Sequence, residues 1–294
     1  MLAPPLGLSV EDLRAALAAH WRLDGLPLTY APVGFGSHHW IAGSYFVTVD
    51  HVPAHDSLHA VLDAVRALDL DFVVAPLSTV DGASAVRIDG GFTVAVYPFV
   101  EGEVFDWGAW AGSDHRRAVL DMLVRLHAAP VAGLPADDFA IPHRDGLHPH
   151  GFTDTGPYAS RAAALLAARS STVRQLLDRY DALVGSAPAG RVFTHGEPHP
   201  GNTMRAPDGW RLVDWDTARA APPERDLWLL DDPVLFDAYT AATGVPVRPA
   251  VLELYRVRWD VNDLAVCVER FRRPHVGDAD DAETWEILAR LLTA

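Results

Sequence analysis

The sequence predicts an α+β fold with two lobes, a small N-terminal lobe built on an antiparallel sheet and a larger, mostly helical C-terminal lobe. Short segments of the first hundred residues alternate apolar and polar side chains, which is typical of half-buried strands. After an apolar run at 92–103, the apolar residues recur with the spacing of amphipathic helices. A chain of 294 residues is also long for one small core. We therefore expect lobes at 1–100 and 101–294, with the hinge in the apolar run.

The N-terminal lobe is expected to begin with a helix and to continue as strands around a glycine-containing turn. Ser9 stands three residues before Asp12, a spacing typical of a helix N-terminus. The runs at 28–33 and 44–49 read as strands, and the turn between them spans 34–40. Such a turn can cover nucleotide phosphates, although an ordinary hairpin turn explains its two glycines equally well on their own. It lacks the Gly-Lys-Ser/Thr ending of a P-loop.

The C-terminal lobe is predicted from a change of periodicity. An amphipathic helix is expected over 119–127, and a loop rich in Pro, Gly, His and Asp over 130–158. Further helices are expected at 159–169 and 171–185. The run at 251–271 has the pattern of a long amphipathic helix, with several acidic residues along it.

One polar stretch, residues 191–216, carries the residues that indicate chemistry. Prolines keep its first half out of a helix or central strand, and two strand-like runs follow, joined by the turn Pro207-Asp208-Gly209. Folding this hairpin about Asp208 predicts that Asn202 and Asp214 face each other across the ladder. Asp216 would then point to the same face, because side chains alternate along a strand.

The spacing within this stretch is that of a phosphoryl-transfer site. His195-x-Glu197-x₄-Asn202, followed by a strand ending in Asp214, is the layout of a kinase catalytic loop and its metal-binding aspartate. In that chemistry a carboxylate orients or deprotonates the acceptor hydroxyl, while the amide and the aspartate hold Mg²⁺ against the nucleotide phosphates. A loop with a purely structural role would not need five residue types in this order and spacing.

The wider string THGEPHPGN…LVDWD resembles the aminoglycoside phosphotransferase family, which has a protein-kinase-like fold. The resemblance implies that Asn202 and Asp214 are metal ligands. Asp216 would either support these ligands or bind the metal as a secondary ligand. His195 would shape the loop, and Glu197 stands where the family has its catalytic Asp. The extra methylene of Glu shifts the carboxylate by about 1 Å, a displacement that counts against full activity.

The resemblance also implies a site for ATP or GTP with Mg²⁺. The glycine turn would cover the phosphates, and the hinge would meet the adenine. The residues expected to line this site are Gly34, Phe35, Gly36, Ser37, Thr48, Tyr97, Pro98, Phe99 and Val100. In the family, an aspartate at the position of Asp226 braces the catalytic loop from below, so we expect a structural role for Asp226.

The chain departs from the family in having no lysine; all 24 of its basic residues other than histidine are arginines. Relatives use a lysine on the strand after the glycine turn to clamp the α- and β-phosphates, and Thr48 occupies the matching position. Arg66 and Arg87 are the alternatives to such a lysine, although each also reads as an ordinary surface charge.

Composition excludes several classes of partner. A net charge of −15 argues against nucleic acid, whose phosphates need a basic surface. The sequence has no stretch that reads as a signal peptide or a membrane-spanning segment, and its single cysteine, Cys267, cannot form an internal disulfide. We expect a cytoplasmic protein with a small-molecule substrate, and nothing in the sequence implies a protein partner.

The function that these observations favour is a small-molecule kinase. It would transfer the ATP γ-phosphoryl group to a hydroxyl of an aminoglycoside-like or other polyhydroxylated amine, with a possible role in antibiotic resistance. The residues expected to bind the cationic substrate are Asp260, Asp263 and Glu269. The first alternative is a pseudokinase that binds nucleotide or a metabolite without transfer. The second is a metal-binding or interaction module that uses the histidine-rich segments.

Overall fold

The computed structural model describes residues 1–34, 36–51, 55–153 and 155–293. It divides the chain into two compact units. The first consists of Met1–Ala136 with Gly190–Val247, and the second of Asp137–Ala189 with Arg248–Ala294. Within the described ranges, no helix combines the length and the apolar character needed to cross a membrane. The lobe boundary at residue 100 stays a prediction.

The elements are labelled in chain order. The strands are β1 (Leu28–Ala31), β2 (His38–Ala42), β3 (Tyr45–Asp50), β4 (Val86–Ile88), β5 (Phe92–Pro98), β6 (Glu103–Val104), β7 (Val192–Thr194), β8 (Thr203–Ala206), β9 (Gly209–Leu212) and β10 (Arg219–Ala221). The α-helices are α1 (Val10–Trp21), α2 (His55–Arg66), α3 (Gly112–His127), α4 (Ala159–Ala168), α5 (Ser170–Val184), α6 (Glu224–Leu227), α7 (Pro233–Thr243), α8 (Pro249–Arg272) and α9 (Ala279–Thr293).

An antiparallel sheet forms the N-terminal part of the first unit, in the order β1-β2-β3-β5-β4. One face of this sheet packs against α1, because the alternating apolar residues of β2, β3 and β5 meet the apolar stripe of that helix. The Ser9 hydroxyl accepts a hydrogen bond from the Asp12 amide at 3.0 Å, which confirms the predicted N-cap of α1. The predicted α+β fold is confirmed as well.

The opposite face of the sheet carries a second, smaller apolar cluster. Leu58 and Leu62 of α2 pack on Ala95, with Tyr97 at the edge of the cluster. This face, which also bears the side chains of Thr48 and Asp50 by strand alternation, is called the inner face below. Thr48 and Tyr97 are two of the residues predicted for the nucleotide site.

The glycine-containing turn is shorter than predicted, because His38–Ala42 forms a strand. The prediction of a turn over 34–40 is wrong for its second half. Two adjacent histidines read as a polar loop in the sequence, but β2 pairs with strands on both sides, and its two histidines lie on opposite faces of the sheet. Backbone pairing therefore overrides the low strand preference of this segment.

Two small sheets of the first unit position the stretch 191–216. β7 pairs with β10, and β8 lies between β6 and β9 in a three-stranded sheet. The end of the hairpin is tied to the segment before β4, since the Leu212 amide donates to the Phe72 carbonyl at 2.8 Å. The loop from His195 to Asn202 is thus held between two short sheets.

The second unit is helical. α4, α5, α8 and α9 enclose one apolar core that includes Ala162, Leu166, Cys267 and Phe271. The helices predicted at 159–169, 171–185 and 251–271 are present with small shifts of their ends. α9 was not predicted.

Candidate active site

The loop from His195 to Asn202, called the catalytic loop below, is fixed from beneath by one buried carboxylate. Asp226 accepts hydrogen bonds from the backbone amides of His195 at 2.9 Å and Gly196 at 2.6 Å. His127 Nε2 lies 3.0 Å from the same carboxylate. Burial opposes ionisation of Asp226, but the hydrogen bond and the charge of His127, with the charge of Arg225, lower its pKa overall. Asp226 therefore has the bracing role that the resemblance implied.

Gly196 is required by the geometry of this brace. Its φ is +105°, and a Cβ at this position would lie 2.3 Å from the Arg225 guanidinium. That guanidinium donates to the Thr194 hydroxyl at 3.0 Å and to the Thr217 carbonyl at 2.7 Å. A side chain at 196 would break the link between the catalytic loop and α6.

His195 shapes the loop from inside the protein. Its Nε2 lies 2.8 Å from the Val213 carbonyl, and its Nδ1 accepts the Glu197 amide at 3.1 Å, so the imidazole is neutral with its proton on Nε2. Burial lowers the pKa of His195 to about 4 against the opposing charge of Asp226. The side chain is fully buried, so it orders the loop and does not reach a substrate.

Glu197 is the carboxylate that the catalytic loop presents to solvent. Its backbone amide is held by His195, and its carbonyl accepts the Asn202 side-chain amide at 3.0 Å. The side chain itself is 34% exposed, with His199 Nε2 3.9 Å from its carboxylate. Burial, followed by the charge of His195, lowers the pKa of His199 to about 4, so this pair is not an ion pair at neutral pH.

The hairpin after the loop has a different register from the predicted one. Ala206 pairs with Gly209 and Thr203 with Leu212, so the turn has two residues instead of three. The partner of Asn202 is accordingly Val213, whose amide donates to the Asn202 carbonyl at 3.0 Å. The prediction that Asp214 faces Asn202 across the ladder is wrong, because β9 ends at Leu212 and Val213 lies opposite Asn202.

The left-handed backbone at Asp214, not strand alternation, sets the positions of the Asp214 and Asp216 side chains. Asp214 has φ +66°, a left-handed conformation that is strained for residues other than glycine and concentrates at functional sites. The carboxyl groups of Asp214 and Asp216 come within hydrogen-bonding distance of each other. Both side chains keep solvent access but are closely surrounded by protein atoms.

These aspartates carry an excess of negative charge. Loss of hydration raises the pKa of Asp214 well above its usual range, and the neighbouring charges of Asp216, Glu197 and Asp50 raise it further. The pKa of Asp216 is also raised, mainly by loss of hydration, although the Thr217 amide and nearby arginines oppose the shift. Carboxylates crowded in this way favour the binding of a cation.

The donor set fits Mg²⁺. Asn202 donates its side-chain NH₂ group to the Glu197 carbonyl, and its side-chain oxygen, like the carboxylates of Asp214 and Asp216, is a ligand type that Mg²⁺ prefers. Among the described residues, no group of three or more His, Cys, Asp or Glu is arranged to hold a metal ion by itself. In phosphoryl-transfer sites, one or two carboxylates bind Mg²⁺, and the substrate phosphates supply further ligands. A site in which the protein supplies only a few of the ligands is therefore consistent with that chemistry.

Asp50 belongs to this site although sequence reasoning missed it. It ends β3 on the inner face, and its carboxylate accepts a hydrogen bond from the Ser37 hydroxyl of the glycine turn. Burial raises its pKa to about 6; the Ser37 hydrogen bond opposes this shift, and the charge of Asp216 adds to it. Strand alternation from Thr48 could have identified Asp50, because the two residues are two positions apart.

Two of the residues predicted for the nucleotide site meet on the inner face. Thr48 lies within hydrogen-bonding reach of the Tyr97 hydroxyl. Burial raises the pKa of Tyr97 well above its usual value, and the charges of Asp50, Asp214 and Asp216 act in the same direction. The inner face of the sheet therefore lies close to the aspartate pair.

The glycine turn and the hinge surround this face. Gly34 and Gly36 have φ of +72° and +93°, which favour glycine. Pro98 ends β5, the Phe99 amide donates to the Ser44 carbonyl at 2.9 Å, and Val100 follows. Phe35 lies outside the described residues. These assignments to the nucleotide stay predictions.

Of the two arginines considered as phosphate clamps, Arg66 is engaged by other partners, and the role of Arg87 stays a prediction. Arg66 donates to the Ser78 hydroxyl at 2.5 Å and the Gly82 carbonyl at 2.9 Å, so its guanidinium ties α2 to a neighbouring turn. Arg87 is exposed on β4, the edge strand of the sheet, and pairs with Thr93 of β5.

The predicted substrate residues lie on α8 in the second unit. Burial raises the pKa of Asp263 to about 6, with a further contribution from the charge of Asp260. The pKa of Asp260 is raised by burial too, against the charge of Arg256. Glu269 accepts a hydrogen bond from Arg273 at 2.9 Å. Their role in substrate binding stays a prediction.

Comparison with known proteins identifies the group to which this architecture belongs. Residues 37–267 match the model of the phosphotransferase enzyme family. Protein StrN of Streptomyces griseus is 28% identical over 308 aligned positions, which cover 96% of this chain and 91% of that protein.

Solved structures show the same fold at lower identity. A spectinomycin phosphotransferase in complex with ADP and spectinomycin superimposes with a TM-score of 0.73 at 16% identity, over 97% of this chain and 94% of that one. The choline kinase LicA from Streptococcus pneumoniae gives a TM-score of 0.61 at 13% identity, over 96% and 98% of the two chains.

Proposed function

The chain belongs to the phosphotransferase enzyme family, and we propose that it is a kinase that transfers the γ-phosphoryl group of ATP to a hydroxyl of an aminoglycoside-like or other polyhydroxylated amine. The observation that carries this proposal is the concentration of carboxylates around Asp214, next to a braced loop that presents Glu197. Such a site has a surplus of negative charge until a metal–nucleotide complex enters it.

The roles of the residues follow from their positions. Asn202, Asp214 and Asp216 would hold Mg²⁺, which neutralises charge on the phosphates during transfer. Glu197 would accept the proton of the attacking hydroxyl or orient that hydroxyl, since it is the accessible carboxylate of the catalytic loop. His195 and Asp226 keep the loop in place without touching the reactants.

The acceptor class is supported by chemistry and by the comparisons. An acidic protein favours a cationic acceptor, and the α8 carboxylates Asp260, Asp263 and Glu269 are the proposed partners of its ammonium groups. The phosphotransferase of similar fold that was solved with ADP and spectinomycin supports a nucleotide and an aminocyclitol as ligands. A pseudokinase that binds nucleotide without transfer has no observation in its favour.

Acceptor-dependent release of ADP from Mg²⁺-ATP tests the proposal, measured over a panel of aminocyclitols, amino sugars and choline. With an active acceptor, Glu197→Gln should lower kcat by about 100-fold or more, because it removes the proton acceptor. Its dissociation constant for Mg²⁺-ATP should stay within about two-fold of the unsubstituted protein, since the substituted group acts only in transfer.

Glu103→Gln is the matched control. Glu103 is an exposed carboxylate of the same unit that pairs with Arg205, so its loss should leave turnover unchanged. Equal turnover in Glu197→Gln and in the unsubstituted protein would overturn the assignment of Glu197. Binding of Mg²⁺-ATP without transfer to any hydroxylated amine of the panel would overturn the proposed reaction.

A further inference from the structure

The proposed nucleotide site has no lysine on its phosphate side. The chain has no lysine, and the inner face of the sheet places Thr48 and Asp50 beside the aspartates that would bind the metal. A triphosphate at this site would need hydrogen-bond donors or cations from elsewhere in the protein.

His39 stands at the position from which such a donor could act. In the register of β2 and β3, it lies directly opposite Thr48, so the two side chains share the inner face about 5 Å apart at Cβ. The imidazole stacks on Phe46, with ring centroids 5.0 Å apart and an interplanar angle of 27°. This stacking fixes the orientation of the ring.

The glycine turn covers the same imidazole. A Cβ at Gly34 would lie 3.2 Å from His39 Nε2, so the ring lies directly against the backbone of the turn. His39 Nδ1 is buried and has no hydrogen-bond partner among the described residues. Buried polar atoms in proteins are nearly always hydrogen-bonded, so an unsatisfied one calls for a ligand or a water molecule.

We infer that His39 is a phosphate-binding residue of the nucleotide site and supplies the contact that the missing lysine would have made. The inference rests on the proposed kinase function. The contact comes from the imidazole of His39 on β2, which lies opposite Thr48 on β3. The ligand is the phosphate chain of a nucleoside di- or triphosphate.

The charged groups around His39 set the pH dependence of this contact. Burial lowers the pKa of His39 to about 4, and the amino group of Met1 and the neighbouring His38 act in the same direction. Asp50 lies on the same face, two residues beyond Thr48. The imidazole is therefore neutral at pH 7 in the free protein and donates a hydrogen bond through its single N–H.

A bound phosphate chain would raise the pKa of His39, because a negative charge favours the imidazolium. Nucleotide binding is then accompanied by proton uptake, and the His39 contact strengthens as the pH falls from 8 to 6. The pKa values of Asp50, Asp214 and Asp216 are also raised, so protonation of these groups at lower pH weakens metal binding, but a His39 variant retains them. The difference between the two proteins therefore isolates the contribution of His39.

The test is calorimetric titration of the full chain with Mg²⁺-ADP and Mg²⁺-ATP at pH 6, 7 and 8. His39→Gln should raise the dissociation constant about 10- to 100-fold, the usual range for a hydrogen bond to a charged group. It should also lower the net number of protons taken up on binding relative to the unsubstituted protein, which is detected as a dependence of the binding heat on the buffer.

Rescue distinguishes a phosphate contact from a structural role. Adding Thr48→Lys to His39→Gln places a cation opposite the lost imidazole, which should restore most of the affinity without restoring the proton uptake. His38→Gln is the matched control: His38 is the adjacent residue of β2 but bonds to Tyr30 at 3.2 Å, so its loss should leave affinity unchanged.

Each outcome has one interpretation. An affinity of His39→Gln within about two-fold of the unsubstituted protein would overturn the inference and leave the proposed function intact. Loss of affinity that Thr48→Lys does not restore, with a lowered melting temperature in both variants, would make His39 a structural residue and overturn it as well. Failure of the unsubstituted protein to bind either nucleotide with Mg²⁺ would overturn the kinase proposal and this inference together.

Discussion

Two carboxylates of the first unit, Asp226 and Asp50, lie in contrasting surroundings. Asp226 has donors on both oxygens and a lowered pKa. Asp50 has one hydroxyl donor, faces further carboxylates and has a raised pKa. Asp226 is satisfied by donors of the protein itself and supports the catalytic loop, whereas Asp50 lies near carboxylates that are proposed to bind a cation.

The largest effect is expected from removing the carboxylate of Asp226. Asp226→Ala would leave two buried backbone amides and His127 without their acceptor, which should cost about 3–5 kcal/mol in the free energy of unfolding. Urea denaturation followed by circular dichroism measures this cost. Tyr239→Phe, which removes only the hydroxyl next to His127, is the milder comparison. A loss of less than about 1 kcal/mol in Asp226→Ala would show that the brace is dispensable.

A smaller effect on the free energy of unfolding, with the opposite sign at neutral pH, is expected from replacing Asp50. A raised pKa means that the folded state favours protonated Asp50, so the charged carboxylate destabilises the fold progressively as the pH rises from the ordinary value of 3.8, and this cost levels off above about 6. Asp50→Asn, which resembles the protonated carboxyl at every pH, should therefore gain about 1–2 kcal/mol relative to the unsubstituted protein between pH 5 and pH 7.5, without metal.

The melting temperatures of Asp50→Asn and of the unsubstituted protein must be compared at each pH. Burial lowers the pKa of His39, His115, His195 and His199 to about 4, and these histidines stabilise the fold as the pH rises from 4 to about 6.5. Their contribution is common to both proteins and cancels in the difference of melting temperatures. A constant difference between pH 5 and pH 7.5 would contradict the raised pKa of Asp50.

The smallest effect is expected in the glycine turn. Gly36 and Gly82 both have left-handed backbones with no neighbouring atoms within reach of a Cβ. Each substitution to Ala should therefore cost about 1 kcal/mol of stability through backbone strain alone. Only Gly36→Ala should also weaken Mg²⁺-ATP binding, because only that turn lies over the proposed phosphate site. Equal nucleotide affinities in the two variants would remove the turn from the site.

Sequence reasoning was strongest where the relevant residues are close together in the chain. The spacing of the catalytic loop led to family membership, and Ser9 with Asp12 led to the start of α1. It failed at the hairpin register and at β2, where pairing with distant strands decides the conformation. It also missed α7 and α9, whose apolar spacing was not recognised.

The sequence by itself determined the fold class, the order of the functional residues and the absence of lysine, because these are properties of composition, periodicity and local spacing. Only the tertiary structure decided which distant groups meet. It placed Asp226 beneath the loop, Asp50 near Asp214, and His39 against Gly34. The physical reason is that strand pairing and a left-handed backbone at Asp214 bring these side chains together, and neither is encoded in the spacing of the residues along the chain.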